Sequence, residues 1–188
     1  LTVIPHGTNP ETFFPADAAE FKQLALQMKP GEKLVVNVNR NQPRKDVPKT
    51  LQIFKLILDK HPEARLYLHM NPVDSGGFNL LAVLQQLRIP REFVKFPMGF
   101  SEGVGFPLHV LNLVYNAADV IVTTARGEGW GLCGSEAATV GKAVVAPDCT
   151  SYSEIFADSR GVLVSPQEQR EVMVLDNERA LESGGDEV

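Results

Sequence analysis

Short apolar runs alternate with stretches of helical periodicity along this chain, and few folds accept that order. Lys33–Val38, Ala64–Met70, Glu92–Phe96, Asp119–Thr123, Ala143–Ala146 and Gly161–Val164 read as strands. Leu1–Ile4 reads as another, broken by Pro5-His6-Gly7. Between them lie helical candidates at Ala18–Met28, Val47 to about His61, Phe78–Ile89 and Pro107–Ala117. The first shows Phe21, Leu24, Ala25 and Met28 on one face, the second Val47, Leu51, Phe54 and Leu58, and the third Leu81, Leu84 and Leu87. Asp46 is placed to cap the second, and Pro48 fits its first turn. Ser153–Phe156 reads as a helical turn. This alternation predicts an α/β fold: a mainly parallel sheet with helices on both faces. Neither a repeat nor a linker divides the chain, so one domain is expected over 1–164, followed by a charged tail or hairpin over 165–188.

Composition excludes several classes. The net charge of −5 lacks the basic bias of a nucleic-acid binder. Cys133 and Cys149 have no metal-ligand spacing and make no disulfide framework, which points to a reducing, cytoplasmic compartment. No apolar run reaches the roughly 20 residues of a membrane span. Because the chain opens at Leu1, directly in a strand-like segment, it reads as a domain of a longer protein.

Two polar loops leave the carboxyl ends of expected strands, where open α/β sheets bind ligands. The first, Asn39–Asp46, holds Arg40, Arg44 and Lys45. Cations there can grip a phosphate, Arg by its planar fork and Lys as a point charge; they also suit a solvated surface loop. The second is Glu128-Gly129-Trp130-Gly131-Leu132-Cys133-Gly134-Ser135-Glu136, a glycine turn opening a helix. Glycines admit a close backbone approach, and a helix N-terminus offers unpaired amides to an anion. Gly129, Gly131 and Gly134 also match the dinucleotide fingerprint, with Asp148 at about its acidic position. Against that reading, the turn comes late in the chain, and an acid before it would repel a pyrophosphate. Glu128 and Glu136 instead suit recognition of vicinal hydroxyls, although a surface acid and a helix-dipole partner are their plainer roles. Cys133 at a helix start is either a thiol of lowered pKa or a packed small residue. A non-catalytic α/β nucleotide-binding module also stays open.

Glu128–Glu136, running on into Ala137-Ala138-Thr139-Val140-Gly141-Lys142-Ala143-Val144-Val145-Ala146, resembles the E-x7-E region of the family-4 retaining glycosyltransferases. Trp130 stands for that family's usual aromatic, and Lys142-Ala143 for its x-Pro. Asn39–Asp46 resembles its G-R-x-x-x-x-K-G loop, with Asn39 and Asp46 in place of the glycines. Val3-Ile4-Pro5-His6-Gly7 resembles the segment entering the C-terminal domain, and Asn116–Val120 the A-A-D-V before the turn. The resemblance runs from Leu1 to about Val164 and implies a Rossmann-like domain, the nucleotide-sugar-binding half of a GT-B enzyme ending before the family's last helix.

It further implies catalytic roles for Glu128, Arg40 and Lys45. Arg40 and Lys45 would hold the donor diphosphate, helped by amides of Gly131, Leu132 and Cys133, with Gly129 and Trp130 also in the donor site. Glu128 would contact the donor sugar, Glu136 the ribose hydroxyls, and backbone near Phe96 and Pro97 the base. The implied donor is a UDP-, GDP- or ADP-sugar, and no cofactor or metal is expected. The acceptor is a glycan, lipid or protein engaged mainly by an N-terminal GT-B domain absent from this chain. Such enzymes work in the cytoplasm, some at the cytoplasmic face of a membrane. The isolated half is expected to be inactive.

Overall fold

The computed structural model describes residues 2, 4–99 and 105–165. Six strands among them form one parallel sheet: β1 (Lys33–Val38), β2 (Ala64–His69), β3 (Val94–Lys95), β4 (Val120–Val122), β5 (Val144–Pro147) and β6 (Val162–Val164). Their order is β3-β2-β1-β4-β5-β6, that of a Rossmann-like sheet, with its reversal between β1 and β4. Among the described residues, five α-helices cover it: α1 (Val47–Leu58), α2 (Leu80–Gln86), α3 (Leu108–Ala117), α4 (Leu132–Thr139) and α5 (Ser151–Ile155).

The strands are apolar on both faces because both are packed. On β1, Val35 joins Val47, Leu51 and Phe54 of α1 and Leu80, Val83 and Leu84 of α2 in one core cluster. Leu34 and Val36 join the other, with Val114 and Tyr115 of α3, Ala137 of α4 and Tyr152 of α5. Phe13, from the segment before β1, is also in this second cluster and meets the Tyr115 ring edge-on at 5.8 Å. Asn112 and Asn116 on α3 fasten that segment. Asn112 Oδ1 accepts from the Phe14 amide at 3.2 Å and Asn116 Oδ1 from the Ala16 amide at 2.8 Å.

Several expectations are corrected. Thr2 and Ile4 lie in no strand, and the other two residues of that expected strand fall outside the described set. The helix expected over Ala18–Met28 is only a short π-helical piece at Phe21–Ala25. A π turn takes more residues than an α turn, so the apolar face shifts: Leu24 and Ala25 are exposed, whereas Leu26 and Met28 are buried. α2 starts two residues late because the Asn79 side chain accepts from the Ala82 amide and caps it. Asp46 makes no side-chain cap on α1; its backbone is left-handed (φ 48°) and its carboxylate turns to Arg126. The tail from 166 onward lies outside the described residues.

Candidate functional site

β1 and β4 pair directly, Val35 with Val120 and Val36 with Ile121, so the loops leaving them face one crevice. A polar chain fixes the two together. Buried Asn37 donates to Thr50 Oγ1 at 2.9 Å, Thr50 and Thr124 bond through their hydroxyls at 2.7 Å, and the Thr124 hydroxyl donates to Asp46 O at 2.8 Å. The Arg126 amide donates to Arg44 O at 2.9 Å, and Arg126 Nε to Asp46 Oδ2 at 3.1 Å. All but the first of these bonds cross from the β1 side to the β4 side, so the two loops are held to one another.

The crevice is a cleft of about 620 Å³. Arg40, Lys45, Glu128, Trp130, Gly131, Leu132, Cys133 and Glu136 all line it, so most of the sequence-predicted site converges. Gly129 adjoins it on the turn and lines a smaller pocket beyond Trp130. Phe96 and Pro97 follow β3 at the same sheet edge but do not line the cleft. The Phe96 ring packs on the core beneath the Arg91 guanidinium, 5.0 Å from its centroid. Asp148 is also outside the cleft and accepts from Ser153 Oγ at 2.7 Å, which leaves the dinucleotide reading without its acidic partner.

The glycines of the turn differ in purpose. Gly131 has φ 80°, and a Cβ there would stand 2.4 Å from the Tyr152 ring. At Gly134 it would stand 2.9 Å from the Phe156 ring. At Gly129 it would meet nothing within 4 Å. Two of the three therefore let α4 sit on the rings around α5. That packing brings the first amides of α4, which have no carbonyl partner within the helix, to the cleft wall.

Charge is gathered tightly. Lys45 Nζ donates to Glu128 Oε1, Arg44 Nη1 donates to Glu128 Oε2 at 3.0 Å, and Arg44 also holds Gly127 O at 2.5 Å. Lys45 and Glu128 are nearly buried, at 13% and 9% side-chain exposure, while Arg44 is half exposed. Arg40 Nε donates to Asp74 Oδ2 at 3.1 Å. That bond and the Gly76 amide hold the Asp74 carboxyl below its ordinary range. Deeper in, Tyr115 OH donates to Glu136 Oε2 at 2.7 Å. Burial raises the Glu136 pKa, while the Tyr115 bond and nearby His6 pull it down. Burial also pushes the Cys133 thiol up, although its bond to Tyr152 OH at 3.2 Å and nearby Lys45 oppose this; Cys133 is a packed residue, not an activated thiol. Among the described residues, no group of three or more His, Cys, Asp or Glu side chains could hold a metal ion.

A third loop, after β2, was not legible as part of the site. His69, Met70, Asn71 and Asp74 line the cleft there. Burial lowers the His69 pKa to about 4, leaving it neutral beside Tyr67, 3.0 Å from its hydroxyl. Buried Asn41 ties this loop to the first, donating to Phe78 O at 2.7 Å and accepting from the Phe78 amide at 3.1 Å. Gly77 leaves the room, since a Cβ there would lie 2.0 Å from Asn41 O.

Residues 32–174 match the family model described as Glycosyl transferases group 1. The chain belongs to that family. A curated relative, the D-inositol 3-phosphate glycosyltransferase of Mycobacterium sp. (strain KMS), is 31% identical over 149 residues, covering 78% of this chain and 31% of its own length. The structure of sucrose-phosphate synthase from Thermosynechococcus elongatus superposes with a TM-score of 0.70 at 26% identity, covering 88% of this chain and 39% of that one. A C-terminal domain of a glycosyl transferase group 1 family protein, LpcC from Francisella tularensis, has the same fold at 21% identity and a TM-score of 0.66, covering 86% of this chain and 81% of its own. The chain spans about a third of the length of the curated relatives it matches, 32% and 37% of the first two. No helix among the described residues is long and apolar enough to cross a membrane.

Proposed function

We propose that this chain is the C-terminal, donor-binding half of a family-4 retaining GT-B glycosyltransferase. The observation that carries the reading is the joining of Arg40, Arg44, Lys45, Glu128 and Glu136 with the start of α4 in one cleft at the reversal of the sheet. Each part matches one part of a nucleotide-diphosphate sugar. Arg40, Lys45 and the amides of Gly131, Leu132 and Cys133 take the diphosphate and stabilise the charge that grows on it as the sugar leaves. Glu128 turns from the cations to the donor sugar, and Glu136 accepts from the ribose hydroxyls. The chemistry asked of the protein is electrostatic, and the reading assigns no step to a metal. The acceptor, a glycan, lipid or protein, is held mainly by a second domain, and the enzyme works in the cytoplasm or at the cytoplasmic face of a membrane. Alone, this half binds the donor but does not turn it over.

Thermal unfolding with UDP-, GDP- and ADP-glucose, and with NAD for contrast, tests the reading. A ligand at a hundred times its dissociation constant adds about 2.7 kcal/mol of stability, and each kcal/mol is worth roughly 2–4 °C at this size. The expected result is a rise of about 5–10 °C with one of the sugar nucleotides and none with NAD. Stabilisation by NAD alone would overturn the proposal.

A further inference from the structure

Glu136 is carried on α4 but held by α3. Tyr115 is fully buried, its ring rests edge-on against Phe13, and its hydroxyl donates to Glu136 Oε2 at 2.7 Å. Both residues line the cleft. A phenol has one proton to donate, and here the carboxylate takes it. Among the described residues the structure gives Glu136 Oε1 no hydrogen bond, so that oxygen is available to the cleft. A phenylalanine at 115 would fill nearly the same volume, and burying a hydroxyl is costly unless it is bonded. The hydroxyl therefore acts on Glu136 rather than on the core.

We propose that Tyr115 is the positioning residue of the ribose-binding carboxylate: its hydroxyl fixes the Glu136 side chain so that the carboxylate accepts from the vicinal hydroxyls of a nucleotide ribose. This rests on the role given to Glu136 above. Besides burial, two ionisable groups act on Glu136: Tyr115 from α3 and His6 from the N-terminal segment. Burial favours the protonated acid, while the Tyr115 bond and His6 favour the carboxylate. Losing the hydroxyl lets Glu136 protonate at higher pH, and a protonated acid is a poorer acceptor.

The test is calorimetric titration of UDP, GDP and ADP, each beside its 2′,3′-dideoxy counterpart, into the wild-type chain, Tyr115→Phe, Glu136→Ala and the double variant. For the diphosphate that binds, Tyr115→Phe is expected to weaken the ribose form about tenfold, the scale of a hydrogen bond to a charged group, and to leave the dideoxy form unchanged. Added to Glu136→Ala it should cost nothing further. The loss of binding on acidification should move to higher pH in Tyr115→Phe than in the wild type. Equal weakening of ribose and dideoxy forms, or additive losses in the double variant, would mean a structural role and overturn the proposal. A wild-type chain indifferent to the diol would overturn the role of Glu136 itself, and with it this inference, while leaving the diphosphate reading standing. No binding by any of the three would overturn the donor-cleft reading as well.

Discussion

Glu128 stands between Arg44 and Lys45, and the balance among these three side chains decides how an anion is received. The acid neutralises Lys45, one of the cations assigned to the diphosphate, and Arg44 beside it. Breaking the Lys45 pair leaves a charge near the protein interior, where it is poorly solvated, whereas Arg44 is half exposed. Glu128→Gln is therefore expected to tighten binding of the bare nucleoside diphosphate by roughly threefold, the worth of a partly screened pair. It should also lower turnover of the sugar nucleotide in the complete enzyme. Calorimetry on the variant checks the first effect, and unchanged or weakened diphosphate binding would contradict it. The residue types of this trio were legible from their place in two loops. Their contact was not, because it depends on β1 lying beside β4. Asp74 and His69 were illegible for a similar reason: nothing local distinguishes them, and only the β2 loop's approach to Asn41 brings them in.

At the scale of elements, the glycine turn is a packing device as much as a ligand loop. Gly131 is left-handed and faces the Tyr152 ring. Gly131→Ala should cost about 2–4 kcal/mol through backbone strain and overpacking, whereas Gly129→Ala, in open space, should stay within about 0.5 kcal/mol. Urea unfolding of the two variants compares them directly, and equal effects would refute this division. Asp119 makes a second joint. It accepts from the Leu34 amide at 2.8 Å and pairs with Lys22 at 2.7 Å and Lys33 at 3.4 Å, tying the start of β4 to β1. Partial burial would raise its pKa, but these partners outweigh it and the value falls below the ordinary 3.8. A depressed folded value means stability that is present above the ordinary pKa and lost as pH falls through the folded one. The gap in urea midpoint between wild type and Asp119→Asn should be full above 3.8 and close with further acidification. A gap independent of pH would contradict the electrostatic account. Element type was legible wherever periodicity was long, as in α1 and α3. It failed at Ala18–Met28, where a π turn shifts the face without changing which residues are apolar.

For the whole molecule, alternation of strand and helix was enough to indicate a parallel sheet covered on both sides, because only that arrangement buries such uninterrupted strands. The order of the strands was not readable from any one segment, and it is the order that makes the site: a different neighbour for β1 would separate Lys45 from Glu128. The chain belongs to the group 1 glycosyl transferases, and the account's central claim is that the crevice between β1 and β4 is a diphosphate site. Calorimetric titration of UDP, GDP and ADP into the wild-type chain and Lys45→Ala tests it most directly. One diphosphate should bind the wild type and lose at least about tenfold in affinity in Lys45→Ala, as expected for a charge-assisted contact. Equal binding to both proteins would contradict the account.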